Sequence, residues 1–402
     1  MTMRPIERLA SNNIVKDALA MCQHRVGATL DLAIAIQQIP SPTFAEAERA
    51  AFVEGKFREL ALADVGQDAL HNVFARLPGR AGGRPVVVSA HTDTVFDRDV
   101  DLTVRYGNGK EPSSAVISGP GLADNALGVA GLLAMAGLLI DAHLSTAADI
   151  WFVANVCEEG LGDLRGMRSV VERFGQNAIY IVLEGGSFGH VFHKAIGVRR
   201  FQLSVQTPGG HSWGDYGSPN AIHVLSRIIE RIDRLNLPEQ PKTSVNVGKI
   251  EGGTTVNTIA AQASCLIDMR SVAPAILQQL VDSVHQIAQE CVGDEDVSMT
   301  MTQIGARPAG VLPQDSAIVT LAAEALNQVG CQEVHFMAGS TDANIPISMG
   351  VPSVCVGLAN SGNTHRLDEF LDPKNLSRGL GQLLLLMLAA AGLEEDAPND
   401  KE

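Results

Sequence analysis

Short, continuously apolar segments alternate with helical patterns in the first half of the chain. Strands are predicted at 86–90, 150–156 and 179–183, and an apolar helix at 129–140. Strands that are apolar on both faces are typical of a parallel sheet covered by helices, because both faces are then buried. The first half of the chain therefore predicts an α/β domain built on a mainly parallel sheet.

The pattern changes after Gly197. The predicted order becomes strand 199–206, helix 219–235, strand 244–250, strand 255–269, helix 274–291 and strand 297–303. Each helix has a single apolar stripe, which includes Ile222, Leu225 and Ile228 in the first and Leu277, Leu280 and Val284 in the second. Such helices cover one side of a sheet. The βαββαβ order therefore predicts a ferredoxin-like α/β sandwich.

The βα alternation returns after Pro308, with a helix at 317–329, a strand at 353–357 and a closing apolar helix from Leu383. The simplest arrangement is one α/β domain interrupted by a smaller inserted domain. We therefore expect the two parts of the main domain at 1–196 and 307–395, the inserted domain at 197–306 and a polar tail at 396–402.

Composition narrows the possible partners. The chain has 402 residues with 30 Lys+Arg and 45 Asp+Glu, so its net charge is −15, and no basic cluster stands out. This argues against nucleic acid and anionic membrane as partners. The six cysteines lack C-x-x-C spacing and are interpreted as buried thiols in a reducing compartment. The longest apolar run, from Leu383, is about half of the ~20 residues that a spanning helix needs. Without a signal-peptide pattern, a cytoplasmic location is expected.

Side chains able to bind metal follow several predicted strands at their carboxyl ends. His91 follows 86–90, Glu158 and Glu159 follow 150–156, and Glu184 follows 179–183, while His365 lies in the loop after 353–357. The carboxyl ends of parallel strands line one crevice, so residues far apart in sequence converge there.

Asp124 joins this group from a glycine-rich segment, GPGLADNALG, which leads into a helix but lacks the GK[ST] ending of a phosphate loop. Two histidines and three or four carboxylates, without a thiolate, suit zinc, cobalt or manganese rather than calcium. The set exceeds the needs of one tetrahedral zinc ion, which favours two metal ions sharing a bridging carboxylate.

Each residue taken singly has a common structural explanation. A lone histidine at a strand end, such as His91 or His365, is more often a hydrogen-bonded structural residue. The pair of Glu158 and Glu159 is typical of a solvated loop, and Asp124 of a helix N-cap. The convergence of these residues on one sheet edge favours the metal site.

Eight segments together resemble one known family. They are AHTDTVF, GPGLADNALGVAGLL, NVCEEG, VLEGG, PGGHSWGD, NTIAAQASCLIDMR, GSTDANIPISMGVP and NTHRLDEF, and they run in family order from about residue 85 to 370. The chain resembles the dinuclear zinc peptidases, which include glutamate carboxypeptidase, peptidase T, aminoacylase, acetylornithine deacetylase and succinyl-diaminopimelate desuccinylase. The resemblance implies a catalytic domain with an inserted lid and dimerisation domain.

The resemblance also implies a set of metal ligands. His91 and Glu184 would hold one divalent ion, Glu159 and His365 the other, and Asp124 would bridge both. Zinc is the expected metal, with cobalt or manganese as alternatives. A cis peptide bond is expected between Asp124 and Asn125.

Further roles follow from the same resemblance. Asp93 would orient His91, and Glu158 would be the general base that takes a proton from the metal-bridging water. His211 of the inserted domain would stabilise the oxyanion in the partner subunit's site. Asn257 and Arg270 resemble the family's grip on the substrate carboxylate.

Thr341 of the GSTDA segment completes the substrate-binding candidates. The chain departs from the family pattern at Ala126, where many relatives carry lysine, and at Leu127, where glycine is common. Some amidohydrolase branches fill the position of Glu184 with histidine. The carboxylate favours the peptidase and deacylase branches over the carbamoylase branch.

These observations lead us to expect a homodimeric hydrolase that cleaves an amide next to a free carboxylate in a dipeptide, a tripeptide or an N-acyl amino acid. The alternatives are an N-acyl-amino-acid deacylase such as a desuccinylase, and a catalytically inactive, metal-bound scaffold. Glu158 argues against the scaffold, because a binding protein does not need the base.

Overall fold

The computed structural model describes residues 5–107, 115–293 and 296–394. The chain divides into two compact units, an inserted unit at Lys194–Gly310 and a flanking unit formed by the segments on either side of it. The inserted unit begins three residues before the expected boundary and ends four residues after it. The polar tail expected at 396–402 lies outside the described residues.

The helices and strands of the described residues are numbered in chain order. The helices are α1 Pro5–Ser11, α2 Asn13–Gln37, α3 Ala47–Glu59, α4 Leu127–Asp141, α5 Arg165–Phe174, α6 Ala221–Asp233, α7 Pro274–Cys291, α8 Ala317–Gln328, α9 Asn344–Ser348 and α10 Leu376–Ala391. The strands are β1 Ala63–Gln67, β2 Val73–Leu77, β3 Val86–His91, β4 Arg105–Tyr106, β5 Ile117–Ser118, β6 Ser145–Thr146, β7 Ile150–Asn155, β8 Ile179–Glu184, β9 His190–Ala195, β10 Gly197–Gln206, β11 Gly210–His211, β12 Thr243–Gly252, β13 Thr258–Ile259, β14 Gln262–Ser271, β15 Ser298–Arg307, β16 Gly310–Val311, β17 His335–Gly339, β18 Ser353–Gly357, β19 Asn360–Gly362, β20 Phe370–Asp372 and β21 Leu393–Glu394.

The flanking unit is organised around a mixed sheet in the order β1-β2-β7-β3-β8-β18-β9. Its four central strands, β7, β3, β8 and β18, are mutually parallel, and the outer strands pair antiparallel with them. Every residue of β3 is buried, as expected for a strand covered on both faces. The structure thus confirms the mainly parallel α/β sheet, and it aligns the carboxyl ends of four neighbouring strands.

The apolar helices of the flanking unit pack on one another in its core. Helices α2, α4 and α10 are in mutual contact, and α10, the predicted closing helix, is buried along most of its length. Among the described residues, the one helical stretch long and apolar enough to cross a membrane is Leu122–Asp141, and 83% of its most apolar window is buried inside the fold. Such burial is typical of a core helix.

The inserted unit is the predicted ferredoxin-like sandwich. Its antiparallel sheet has the order β12-β14-β10-β15, and α6 and α7 cover one face. The stripes that predicted these helices form the core, where Leu225, Ile228 and Val284 pack against Leu203 and Ile267. The alternating burial of β14 leaves its other side chains on the open face of the sheet.

Two predicted elements of the inserted unit differ from the structure. The single strand predicted at 255–269 is divided into β13 and β14, because β13 leaves the main sheet to pair with β11. The helix predicted at 219–235 begins at Ala221, where the Asn220 side chain accepts hydrogen bonds from the amides of Ile222 and His223.

The cysteines are free thiols, but they are not uniformly buried. Cys22, Cys157, Cys265 and Cys355 are buried, whereas Cys291 and Cys331 are half-buried. The expectation of six buried thiols is therefore wrong for these two, which lie at a helix end and in a loop.

Candidate metal centre

The parallel strands bring the candidate ligands of the flanking unit to one sheet edge. His91 is the last residue of β3 and Glu184 the last residue of β8. Glu158 and Glu159 lie just beyond β7, and His365 lies in the loop after β19. Parallel strands end at the same edge, so the residues that follow them converge there, as the strand pattern predicted.

Asp124 lies at the centre of this group. Its Oδ1 is 3.1 Å from Nε2 of His91, and its Oδ2 is 3.1 Å from Nε2 of His365. Nε2 of His365 also lies 3.0 Å from Oε1 of Glu159, and Nε2 of His91 lies 3.9 Å from Oε2 of Glu184. Each oxygen of Asp124 therefore faces a different histidine, and each histidine faces a second carboxylate.

The hydrogen bond on the other side of the His91 ring defines its tautomer. Nδ1 lies 3.0 Å from the backbone carbonyl oxygen of Asp93, which can only accept, so Nδ1 carries the proton. In the neutral ring, Nε2 therefore directs a lone pair toward the carboxylate of Asp124. Two electron-rich atoms at this distance require a proton or a cation between them. Metal-binding histidines in proteins commonly have this arrangement, in which one ring nitrogen donates to a carbonyl and the other faces the metal site.

The carboxylates of the cluster raise the pKa values of the titratable groups around them. Burial lowers the pKa of His91, but its interactions with the negatively charged side chains of Asp124, Asp93 and Glu184 outweigh this effect, and the net shift is well upward. Hydrogen bonds to Asp124 and Glu159 raise the pKa of His365 to about 10. Burial, followed by the negative charges of Asp124 and Glu158, raises the pKa of Glu184 well above its usual range. The cluster thus takes up protons readily.

Divalent cations would compensate the same charges in place of those protons. One ligand atom each from His91, Asp124 and Glu159 lie within 4.8 Å of one another, which is close enough to share an ion. The donors are imidazole nitrogen and carboxylate oxygen, the set that zinc, manganese and cobalt accept. The residues present therefore fit a transition-metal centre.

Asp93 makes different contacts from those expected. Its carboxylate is 3.6 Å from Nδ1 of His91, beyond a hydrogen bond, and it is the backbone carbonyl that accepts from the ring. Instead the two carboxylate oxygens accept from the amides of Glu158 and Glu159, each at 2.9 Å, and from the hydroxyl of Thr43. Asp93 thus fixes the backbone of the two glutamates.

The Asp124 turn is joined to the strand that ends in Glu184. The Asp124–Asn125 peptide bond is cis, in agreement with the sequence expectation. The Asn125 side chain donates to the carbonyl of Leu183 at 2.8 Å and accepts from the amide of Gly185 at 2.9 Å. These partners flank Glu184, so the side chain of Asn125 joins the turn of Asp124 to the strand end that carries Glu184.

Sequence reasoning missed three buried charged residues around the centre. Glu369 accepts hydrogen bonds from the amides of the Asp124 turn, and burial raises its pKa to about 7. Glu46 accepts from the amide of Cys157, and Arg49 donates to the carbonyl of Thr92 at 2.7 Å. Glu369 lies in NTHRLDEF, one of the segments that carry the family resemblance, so its position in the sequence could have identified it as a candidate. Nothing in the local sequence distinguishes Glu46 or Arg49 from exposed helix residues.

Thr341 lies in the turn that precedes α9. Its backbone amide donates to Oδ1 of Asn344 at 3.0 Å, and its hydroxyl accepts from the amide of Ala343 at 3.2 Å. The hydroxyl also contacts Cys355, a buried thiol whose pKa is raised by burial and by the nearby charge of Glu184. Thr341 is thus in the neighbourhood of the centre, with its hydroxyl engaged in the turn.

Within the inserted unit, His211 and Asn257 lie side by side. The segments that carry them are joined by β11–β13 pairing and by a 3.0 Å hydrogen bond from the amide of Ser212 to the carbonyl of Asn257. Nδ1 of His211 accepts from the amides of Trp213 and Gly214 at 3.3 and 3.2 Å. Nδ1 is therefore unprotonated, and Nε2–H is the hydrogen-bond donor of this exposed imidazole.

Arg270 lies at the other end of the same sheet. It is near the end of β14, opposite Val198, whereas Asn257 precedes the start of that strand. From Gln262 to Arg270 the strand extends roughly 26 Å at ~3.3 Å per residue. The guanidinium is paired with Asp268, with Nε 2.6 Å from Oδ1. Within one chain, Asn257 and Arg270 therefore do not form the expected pair around a single carboxylate.

A mainly parallel sheet that presents histidines and carboxylates at its strand ends is an arrangement suited to a metal-binding hydrolase. Comparison with known proteins agrees. The chain belongs to peptidase family M20/M25/M40, whose profile matches residues 87–389. It is a hydrolase of that family, and the resemblance seen in the sequence motifs is confirmed.

Individual relatives are distant but cover most of the chain. A Mycobacterium tuberculosis protein provisionally named succinyl-diaminopimelate desuccinylase DapE is 25% identical over 368 residues, 89% of this chain and 97% of that protein. A Staphylococcus aureus tripeptidase has a TM-score of 0.74 at 21% identity, covering 91% of this chain and 98% of that chain. A Bacillus subtilis protein described as a dinuclear metal-binding M20 peptidase has a TM-score of 0.66 at 16% identity, covering 92% and 99%.

Proposed function

We propose that this protein hydrolyses a peptide or amide bond next to a free carboxylate, in a dipeptide, a tripeptide or an N-acyl amino acid, with two divalent metal ions. Zinc is the proposed metal, with cobalt or manganese as alternatives, and the proposed location is the cytoplasm. The observation that carries the proposal is the geometry of Asp124, whose two oxygens each lie 3.1 Å from a different histidine. A carboxylate with a nitrogen ligand on each oxygen is suited to bridging two ions.

The proposed roles of the other ligands follow from their positions. His91 and Glu184 lie on the Oδ1 side of Asp124, and His365 and Glu159 lie on the Oδ2 side. Two bound cations would supply Lewis acidity that polarises the scissile carbonyl and acidifies the attacking water. Asp93 supports this set by holding the backbone amides of Glu158 and Glu159.

Glu158 is the proposed general base. It is buried beside the ligand Glu159, and its charge acts on Glu184. Its carboxylate takes a proton from the water as the water oxygen attacks the carbonyl carbon. It then returns that proton to the leaving nitrogen as the carbon–nitrogen bond breaks. The carbonyl oxygen carries a negative charge between these steps and requires a hydrogen-bond donor.

His211 is the proposed donor to that oxyanion. The two amides on Nδ1 leave Nε2–H as the donating atom, and they hold the ring without another side chain. A donor whose orientation is set before the reaction stabilises developing charge without reorganisation. Asn257, on the neighbouring segment, is the proposed partner of the substrate carboxylate at the same end of the inserted unit.

The inserted unit also supports a homodimer. Arg270 and the pair of His211 and Asn257 occupy opposite ends of its sheet, so one substrate meets both ends only if two copies contribute. The most exposed large apolar side chains of the described residues, Val256, Tyr216 and Trp213, are 101%, 90% and 88% exposed and flank Asn257 and His211. A surface of this kind is typical of an interaction site. We infer that this end meets the catalytic unit of a second copy.

The test is a hydrolysis screen with purified protein and added zinc, cobalt or manganese. Its substrates are Gly-X dipeptides, tripeptides, and N-acetyl and N-succinyl amino acids, each with a matched C-terminal amide. Metal-dependent cleavage of the free acids, with at least about tenfold slower cleavage of the amides, is expected from a charge-assisted carboxylate contact. Cleavage of the N-acyl substrates alone would identify a deacylase. No cleavage of any substrate at full metal occupancy would contradict the proposal.

A matched pair of variants separates chemistry from metal binding. Glu158→Gln keeps the size of the side chain but removes its basicity, so activity should fall by ~10²–10⁴ while two ions remain bound. Glu159→Gln replaces a proposed ligand, so metal affinity itself should fall. Elemental analysis after removal of excess metal gives the ion count for both variants. Near-normal turnover by Glu158→Gln would refute the base.

A further inference from the structure

Glu369 is a buried carboxylate to which none of the preceding roles applies. It is 0% exposed, and it lies four residues after His365 and directly before β20. Its Oε1 accepts from the amide of Ala123 at 2.8 Å and from the amide of Asp124 at 3.1 Å. Its Oε2 is buried and has no hydrogen-bond partner among the described residues. A single oxygen therefore holds the turn that presents Asp124.

The backbone of Glu369 makes a second set of contacts. Its amide donates to the carbonyl of Arg366 at 3.0 Å, which closes the loop that carries His365. Its carbonyl accepts from the amide of Gly119 at 2.9 Å, and the following strand β20 pairs with β5. Glu369 therefore joins the His365 loop to the segment that leads into Asp124, through both its backbone and its side chain.

A second buried carboxylate near the proposed metal centre also accepts hydrogen bonds from two successive backbone amides. Asp93 accepts from the successive amides of Glu158 and Glu159, as Glu369 does from those of Ala123 and Asp124. Leaving a buried amide without its acceptor is unfavourable, so such a contact strongly favours one backbone position. Each turn that carries a proposed bridging or catalytic acid is thus held by a second, buried acid.

We propose that Glu369 is a positioning residue that holds Asp124 against His365 through the amides of Ala123 and Asp124, and so couples the two metal positions. This inference rests on the proposed metal-dependent function. Asn125 holds the same turn against the strand of Glu184. Asp124 is therefore fixed toward one histidine by Glu369 and toward the other ligand pair by Asn125. The role requires a side-chain oxygen at this position and does not require its charge.

The test compares variants that differ in that oxygen. Glu369→Met keeps the length of the side chain without an acceptor, so metal affinity should fall about 10–100-fold, the range typical of residues that support metal ligands. Glu369→Gln retains an oxygen and should bind metal within about threefold of wild type, since hydrogen-bond acceptance is preserved. The control is Asp372→Ala, three residues after Glu369. It removes the side-chain acceptor of the Lys374 amide and should leave metal affinity unchanged.

The readout is competition with a chromophoric zinc chelator, together with the thermal midpoint at saturating zinc, and neither depends on substrate. In activity assays at saturating metal, kcat should fall for Glu369→Met with little change in KM. If Glu369→Met does not fold, Glu369→Asp replaces it, because it withdraws the oxygen by one methylene and should also weaken zinc binding.

Three results would overturn the proposal. They are wild-type zinc affinity in Glu369→Met or its substitute, equal losses in the Gln and Met variants, and a wild-type protein that binds no zinc. Failure of the proposed function looks different. A wild-type protein that binds two ions but cleaves no substrate would contradict the hydrolysis while leaving the affinity comparison valid.

Discussion

At the scale of single residues, what each histidine can do depends on which of its ring nitrogens already has a hydrogen-bond partner. In the neutral ring of His91, Nδ1–H donates to the carbonyl of Asp93, so the lone pair of Nε2 faces Asp124. His211 shows the opposite arrangement, because two amides occupy Nδ1 and leave Nε2–H as a donor. The arrangement of hydrogen bonds thus suits the proposed role of His91 as a metal ligand and that of His211 as a hydrogen-bond donor.

The pH dependence of metal binding follows from His365. Hydrogen bonds to Asp124 and Glu159 raise its pKa from 6.5 to about 10. A raised pKa stabilises the folded, protonated state fully below pH 6.5, and this stability is lost as the pH rises through about 10. A metal ion requires the neutral ring, so protons compete with the ion less as the pH rises.

Between pH 7 and 9 we therefore expect the thermal midpoint of chelator-treated protein to fall and the increase caused by added manganese to grow. Differential scanning fluorimetry measures both. His365→Asn should reduce the pH dependence, whereas His285→Asn, on α7 of the inserted unit, should leave it unchanged. A manganese-induced shift that is constant over this range would contradict the competition.

At the scale of elements, the turn before α4 connects the sheet to the proposed bridging ligand. Asn125 must approach α4 closely in order to bond on both sides of Glu184, and Gly128 provides the space. A Cβ at Gly128 would lie 2.1 Å from Oδ1 of Asn125. Because that oxygen is held by the amide of Gly185, it cannot move without breaking a bond.

Gly128→Ala should therefore displace Asn125 and weaken metal binding about tenfold or more, as measured by chelator competition. The matched control is Gly27→Ala in α2, where a Cβ would meet no atom within 4 Å. The control should be neutral or stabilising by about 0.5–1 kcal/mol, because alanine favours helix over glycine. Equal metal affinity in both variants would show that Asn125 does not position the bridge.

At the scale of the whole molecule, the proposed site requires two copies of the chain. If the His211 end of one copy serves the centre of another, activity depends on assembly, with a two-fold interface built from the inserted units. Loss of an oriented oxyanion donor costs ~2.7–4 kcal/mol of transition-state stabilisation, so His211→Ala should be nearly inactive with its metal ions still bound.

Mixing inactive variants tests the exchange between copies. A heterodimer of His211→Ala and Glu158→Gln contains one site with an intact Glu158 from one chain and an intact His211 from the other. We expect activity to reappear when the two proteins are mixed under conditions of subunit exchange, with exchange followed by mass spectrometry. Sedimentation of the wild type should give a dimer. Absence of recovery despite exchange would show that His211 acts within its own chain or has no role.

The sequence by itself determined the architecture and the metal-capable residues. Apolar strands, one-sided helices and acids at strand ends are local patterns, and each is dictated by burial along a single element. They were sufficient to predict the parallel sheet, the ferredoxin-like unit and the approach of His91, Asp124, Glu159 and His365 to one edge. The family motifs supplied the roles that remain proposals.

Only the tertiary structure decided which groups support those residues. Glu369 contacts an amide 246 positions away in the chain. The carboxylate of Asp93 holds the amides of Glu158 and Glu159, and only its backbone carbonyl accepts from the ring of His91. The separation of Asn257 from Arg270 likewise depends on the register of β14. A hydrogen bond between distant segments leaves no periodic trace in the sequence, because it depends on how strands are ordered and how closely turns approach. The local pattern fixes what each residue can donate or accept, and the packing of the sheet and its turns selects the partner.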